Sequence, residues 1–146
     1  MTTSTVEQRL YAGRTLTAYT DAGERVAGWP EVAYEAIRAI NHLTNHGPIP
    51  APTCYHILGE LKGVGHLLPQ ALEQLCRGLH ASLDACPVYD HQRDPALSVS
   101  DAVALLTRAA RKAADLGQLL EDAQAAISAQ GYHTDPTSPP PEPGLW

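Results

Sequence analysis

The sequence predicts an all-α fold, a three- to four-helix bundle built on a long antiparallel helical hairpin that is kinked near Pro69. Three observations predict it. Apolar or small residues recur at Cys54, Leu58, Leu61, Gly65, Leu68, Leu72, Leu75 and Leu79, in steps of four and three that trace one stripe of a helix. A second stripe runs through Val99, Val103, Leu106, Ala110, Ala113, Leu116, Leu120, Ala123 and Ile127. The 146 residues contain no Phe and are 44% hydrophobic, with Ala and Leu supplying most of that share, which favours closely approaching helices over a bulky or β-rich core.

Along the chain, Ser4 and Glu7 form a capping box ahead of Val6 and Leu10, but Thr15, Thr17 and Thr20 weaken any helix beyond them. Residues 1–28 are therefore expected to be a short helix or a weakly structured arm. Pro30 suits the first turn of the next helix, and Glu31 complements its positive end. Ala33, Ile37, Ile40 and Leu43 or Thr44 make its apolar stripe, and Gly47-Pro48 ends it. After the stiff loop Pro48-Ile49-Pro50-Ala51-Pro52, a long segment spans 52–85 and contains Gly63, Gly65 and Pro69. Pro69 lacks a backbone donor and crowds the carbonyl of Gly65, so either one helix kinks or two meet at 63–68. The unbroken stripe favours the kink. Residues 86–98 form a polar connector, Ser98 or Ser100 caps the last helix, and Gly131 follows its end near Gln130. The bundle domain thus covers 29–131, and the Pro-rich, acidic residues 132–146 are expected to be a disordered tail.

The net charge of -6 opposes broad attraction to phosphate backbones. No Lys or Arg follows Lys112, so the C-terminal quarter is purely acidic. The first ten residues lack an apolar signal core and no 18-residue apolar run occurs, so a cytoplasmic protein without a membrane span is expected. Cys54, Cys76 and Cys86 form no CxxC pair, and reduced thiols follow from that context.

Few residues carry a chemical signal. His42 and His46 have the i, i+4 spacing that lets two imidazoles share a metal, with Cys54 and His56 beyond the loop. The string between them, Leu-Thr-Asn, lacks the carboxylate of a zinc hydrolase, and both rings also offset the negative helix end. The preferred reading is no metal and no cofactor. Tyr89, Asp90 and His91 accompany no nucleophile motif, and no phosphate loop or dinucleotide fingerprint occurs, so no enzymatic activity is expected.

The expected role is a non-enzymatic interaction module that self-associates or binds a protein partner. An Ala-lined face at Ala102, Ala109, Ala110, Ala113 and Ala114 permits close approach of another helix. Leu67, Leu75 and Leu79 are then shared between core and interface, and Trp146, on its Pro-rich spacer, is a candidate docking hook. The alternative is a DNA-binding regulator in which 57–77 form a helix-turn-helix, with Gly63 in the turn and Gln70, Glu73, Gln74 and Arg77 on the recognition helix. That surface offers one Arg against a Glu, so nucleic acid is the less favoured partner.

The strings Leu58-Gly59-Glu60-Leu61 and Leu68-Pro69-Gln70-Ala71-Leu72-Glu73-Gln74-Leu75, together with the Ala-rich last helix, resemble small helical proteins of actinobacteria with no assigned activity. The resemblance covers about half the chain. It implies a helical fold and a source, and carries over no functional residue.

Overall fold

The computed structural model describes residues 28–131 together with Leu16. Among the described residues there are three helices and no strand: α1, Trp29–Leu43; α2, Ala51–Ala85; and α3, Pro95–Ala126. The expected arm or helix at 1–28 and the expected tail at 132–146, Trp146 included, lie outside them apart from Gly28 and Leu16. The chain divides into two compact units, residues 1–48 and 49–146. The boundary falls at the proline-rich loop, inside the 29–131 span expected to form one bundle domain.

In the first unit, α1 starts at Trp29 with Pro30 in its first turn and Glu31 at its positive end. It stops at Leu43, earlier than the glycine signal at Gly47 implies. The Thr44 amide makes the last i→i−4 bond, to the Ile40 carbonyl, which also accepts from the Thr44 hydroxyl at 2.8 Å, and the Asn45 amide donates instead to the His42 carbonyl at 3.4 Å, so the chain turns there. Gly47 supplies the left-handed backbone (φ 118°) three residues later, where a side chain would be strained. Tyr34, Ile37 and Leu43 are exposed on this helix, whereas Trp29, Val32 and Ile40 are half-buried.

In the second unit, α2 and α3 pack against each other along their length. Their register is fixed by pairs of decreasing partner number: Gly59 lies beside Gln124, Lys62 beside Glu121, Gly65 beside Gly117, and Cys76 beside Val103. The two helices therefore run in opposite directions. α2 is a single helix of 35 residues that passes through Pro69 without interruption. At about 1.5 Å per residue it is some 50 Å long, and α3, at 32 residues, nearly matches it.

The start of α3 differs from the sequence expectation. Asp94, not Ser98 or Ser100, is the N-cap; its carboxylate accepts from the Ala96 amide at 2.9 Å, and Pro95 occupies the first turn. An Asp-Pro start satisfies an orphan amide and presets the first helical φ, so it prevails over serines one turn later. The connector shortens accordingly. It is organised by Asp90, whose carboxylate accepts from the amides of Gln92 (2.8 Å) and Arg93 (3.3 Å). The Gln92 amide, then the Ser98 hydroxyl and Arg93, hold that carboxyl below the usual aspartate range. Arg93 in turn pairs with Asp101 at 2.6 Å, tying the connector to the first turns of α3. Replacing Asp94 by alanine is expected to cost about 1 kcal/mol of unfolding free energy in urea denaturation, and Asp94→Asn much less.

Between α2 and α3 the contact is built from small residues. Ala110 and Ala113 are the buried hydrophobic side chains among the described residues, and Gly65 and Gly117 are buried with them. A Cβ placed on Gly65 would stand 2.6 Å from the Gly117 Cα and 2.8 Å from its amide nitrogen. The helices thus touch backbone to backbone at that crossing, closer than any pair of larger residues permits. Gly63, two residues earlier, has open space where its Cβ would be and plays no part in the contact.

Candidate functional site

The crossing at Gly65 and Gly117 is the reference from which the two outer sides of the helix pair are read. Successive residues turn by about 100° around a helix. On one side of the seam, Lys62 Nζ lies 3.6 Å from Glu121 Oε1 and His66 Nε2 lies 3.3 Å from Glu121 Oε2, bridging α2 to α3. The same side carries a recess of about 240 Å³ lined by Pro69, Glu73, Cys76, Thr107 and Arg111 among others. This side carries the charged groups of the pair, and Leu106, Ala110 and Ala114 also line its recess. Its recess falls below the roughly 300 Å³ at which small-molecule pockets begin, and it is open to solvent.

The other side of the seam is apolar on both helices. From α2 it presents Ile57, Val64, Leu68, Ala71 and Leu75; from α3, Leu105, Ala109, Leu116 and Ala123. Leu75 keeps 53% of its surface exposed and Leu105 61%, and Val64, Leu68 and Leu116 are each exposed to a similar degree. Leu61, Leu79, Ala102 and Leu120 lie at the border, half-buried between the seam and this face. Isolated exposed leucines are ordinary, whereas these form one continuous strip across two adjacent helices.

The sequence-derived interface residues distribute unevenly on this geometry. Leu75 and Ala109 stand on the apolar face and Leu79 at its border. Leu67 is two residues past Gly65, hence about 200° from the seam, exposed on the back of α2. Ala113 lies in the seam, 6% exposed, and its carbonyl oxygen would stand 3.5 Å from a Cβ on Gly65. It is spent on holding α3 to α2, together with Ala110, and is not presented to a partner. Ala102 is half-buried, while Ala114 is exposed on the polar side. Trp146 lies outside the described residues.

Two residues of the seam went unread in the sequence. Gln124 is buried between the helices, and its amide nitrogen donates to the Tyr55 carbonyl at 2.9 Å. Gly59 makes room for it: a Cβ there would stand 2.8 Å from that nitrogen. The signal was present as Gly59 and Gln124 at matching heights of two antiparallel helices, but the apolar stripe drawn through Ala123 passes Gln124 by.

His42, in the last turn of α1, and His46, in the turn beyond its end, meet edge to face with ring centroids 5.2 Å apart, and both are exposed. Among the described residues no group of three or more His, Cys, Asp or Glu converges as a metal site. Residues 57–77 lie within the uninterrupted α2, so the turn expected at Gly63 does not form. Without it there is no separate recognition helix, and Gln70, Glu73, Gln74 and Arg77 stand in mid-helix. The physical reason is that α2 packs against α3 on both sides of Gly63, and that tertiary contact outweighs the glycine's cost of about 1 kcal/mol. Among the described residues no helix is long and apolar enough to cross a membrane.

No protein-family model matches the chain, and neither a curated protein nor a solved structure is similar to it.

Proposed function

We propose that the chain is a non-enzymatic helical interaction module whose working surface is the apolar face shared by α2 and α3. The observation that carries this reading is the mismatch between seam and face. The seam buries only Ala110, Ala113, Gly65, Gly117 and Gln124, with Leu58, Leu72 and Leu106 half-buried in it, whereas the large aliphatic side chains Val64, Leu68, Leu75, Leu105 and Leu116 stay exposed together on one side. Fully burying a leucine contributes about 1.5–3 kcal/mol relative to leaving it exposed, and these five side chains, each still about half exposed, keep a large part of that gain for a partner. A helix pair of this kind is half of a bundle: covered by further helices, with α2 bent at Pro69 to follow its cover, it closes into the three- to four-helix arrangement that the stripes predict.

The test is a photo-crosslinking side chain at position 75 or 116, incorporated into the full chain in the cells that make it. Intermolecular adducts are expected from both positions and not from position 119, which lies on the back of α3. Crosslinks confined to the chain itself, or equal yields from position 119, would remove the reading.

A further inference from the structure

We infer that the apolar face of α2 and α3 is covered by the same face of a second copy of this chain, giving a four-helix, two-fold symmetric dimer. This deepens the reading above and rests on it. Three properties of the face select its occupant.

The first is size. Between Ile57 and Leu79 on α2, and between Ala102 and Ile127 on α3, the face extends about 33–37 Å at 1.5 Å per residue. Two helices packed side by side make it roughly 20 Å wide, hence roughly 650 Å² in projection. The corrugated accessible area exceeds the projection and reaches the ~800 Å² per partner that a stable protein–protein interface buries. A single helix of 15 residues, the length of α1, is about 22 Å by 10 Å and covers about a third of that projection. A second copy of the α2–α3 pair matches the face in both dimensions.

The second is charge. The face positions of α2 and α3 named above are Val, Ile, Leu and Ala, and the first charged side chains reached are Glu60 and Lys112 at its rims. A surface without charge meets an identical surface without repulsion, even though the chain carries a net charge of -6. The acidic and basic groups that would repel between copies, Glu73, Arg111, Glu121 and Asp122, belong to the opposite side.

The third is relief. Leu75 and Leu105, large and exposed, alternate along the face with the small Ala71 and Ala109, so that ridges and hollows occur on the same surface. A two-fold axis brings each ridge to a hollow of the other copy, as an isologous contact requires.

The experiment is sedimentation equilibrium of the purified full chain over micromolar concentrations, with L75E, L116E and the back-face control L119E. The wild type is expected at twice the 15.6 kDa chain mass. Each of L75E and L116E enters the interface twice, so the dissociation constant is expected to rise at least a hundredfold and the mass to fall to that of the single chain. Circular dichroism at 222 nm verifies that both variants keep their helices, and L119E is expected to remain dimeric. A wild-type monomer at 100 μM, a dimer untouched by L75E and L116E, or equal loss in L119E would overturn the inference. A monomer that still gives intermolecular adducts from position 75 in cells removes the second copy but leaves the interaction reading in place. A monomer that gives none removes both.

Discussion

Gly65→Ala is expected to destabilise the fold by about 2 kcal/mol, while Gly63→Ala stabilises it by about 0.5–1 kcal/mol. The two glycines sit two residues apart in the same helix, so intrinsic propensity treats them alike: each alanine gains up to about 1 kcal/mol for replacing glycine in a helix interior. Packing separates them. At Gly63 nothing lies within 4 Å of the added methyl, and the propensity gain stands alone. At Gly65 the methyl meets the Gly117 Cα at 2.6 Å and its nitrogen at 2.8 Å, both of them backbone atoms. No rotamer change relieves that contact, so the helices must separate locally. Overpacking of a tight core costs about 1–3 kcal/mol, and separation also loosens the contacts of Ala113 and Ala110, one and two turns before Gly117. The net loss falls near 2 kcal/mol after the propensity gain is subtracted. Gly117→Ala is expected to cost less, because its nearest neighbour is the exposed His66 ring at 2.9 Å, which can swing away, although the Gly65 carbonyl carbon at 3.1 Å cannot. Urea denaturation of the three variants checks the order: Gly63→Ala above wild type, Gly117→Ala below it, Gly65→Ala lowest. Equal effects at 63 and 65 would mean that the backbone crossing is not a determinant of stability.

That crossing also explains how much of the fold was legible in the sequence. The helical class and the positions of the long elements followed from a period near 3.6 and from proline and glycine boundaries, which act locally. The seam followed only in part. Up to Gly65 the expected stripe and the buried one coincide, but beyond it the interior passes through Pro69, Leu72, Cys76 and Leu79, leaving Leu68 and Leu75 outside. On α3 it likewise takes Gly117 and Gln124 in place of Leu116 and Ala123. Hydrophobicity alone ranks Leu above Gly, Cys and Gln as interior residues, so it drew the stripe through the wrong neighbour each time. What decides is the distance between the helices, which small residues set and which a single sequence does not display. The apolar face was hidden by the same substitution: leucines taken for core turned out to be its surface. Leu75 and Ala109, expected as contacts from the leucine stripe and the alanine row, stand on that face. Ala113 was misplaced because a stripe of small residues reads the same whether the helix it meets is the chain's own or another's. The cap at Asp94 was overlooked for a different reason, since serines at 98 and 100 satisfy the same local rule and the choice between them depends on where the connector ends.

Gln124→Glu is expected to cost about 2–3 kcal/mol at neutral pH and to recover on acidification. The wild-type side chain is 8% exposed, and its amide donates to the Tyr55 carbonyl at 2.9 Å across the seam. Glutamate has the same shape, but as a carboxylate it has no donor and would aim negative charge at a carbonyl oxygen in a largely dry contact. A buried acceptor facing another acceptor loses the hydrogen bond and retains the desolvation cost of the charge, which together reach about 2–3 kcal/mol. The neutral acid carries a proton in place of the amide hydrogen and can donate to the same oxygen. The folded state therefore raises the pKa of the introduced carboxyl above its unfolded value of about 4.3. A group whose pKa is raised on folding contributes its stability below the unfolded pKa and loses it as the pH climbs through the folded one. The variant should then approach the wild type below about pH 4 and fall away from it progressively up to about pH 6–7, the reverse of ordinary acid denaturation. Gln124→Leu removes the hydrogen bond without adding charge; because the Tyr55 carbonyl can still accept from its own helix, it is expected to cost about 1 kcal/mol at every pH. Thermal melts of the three proteins across pH 3.5–7.5 separate these behaviours. A Gln124→Glu profile parallel to that of the wild type would show that position 124 is wet in solution and that the seam ends short of it.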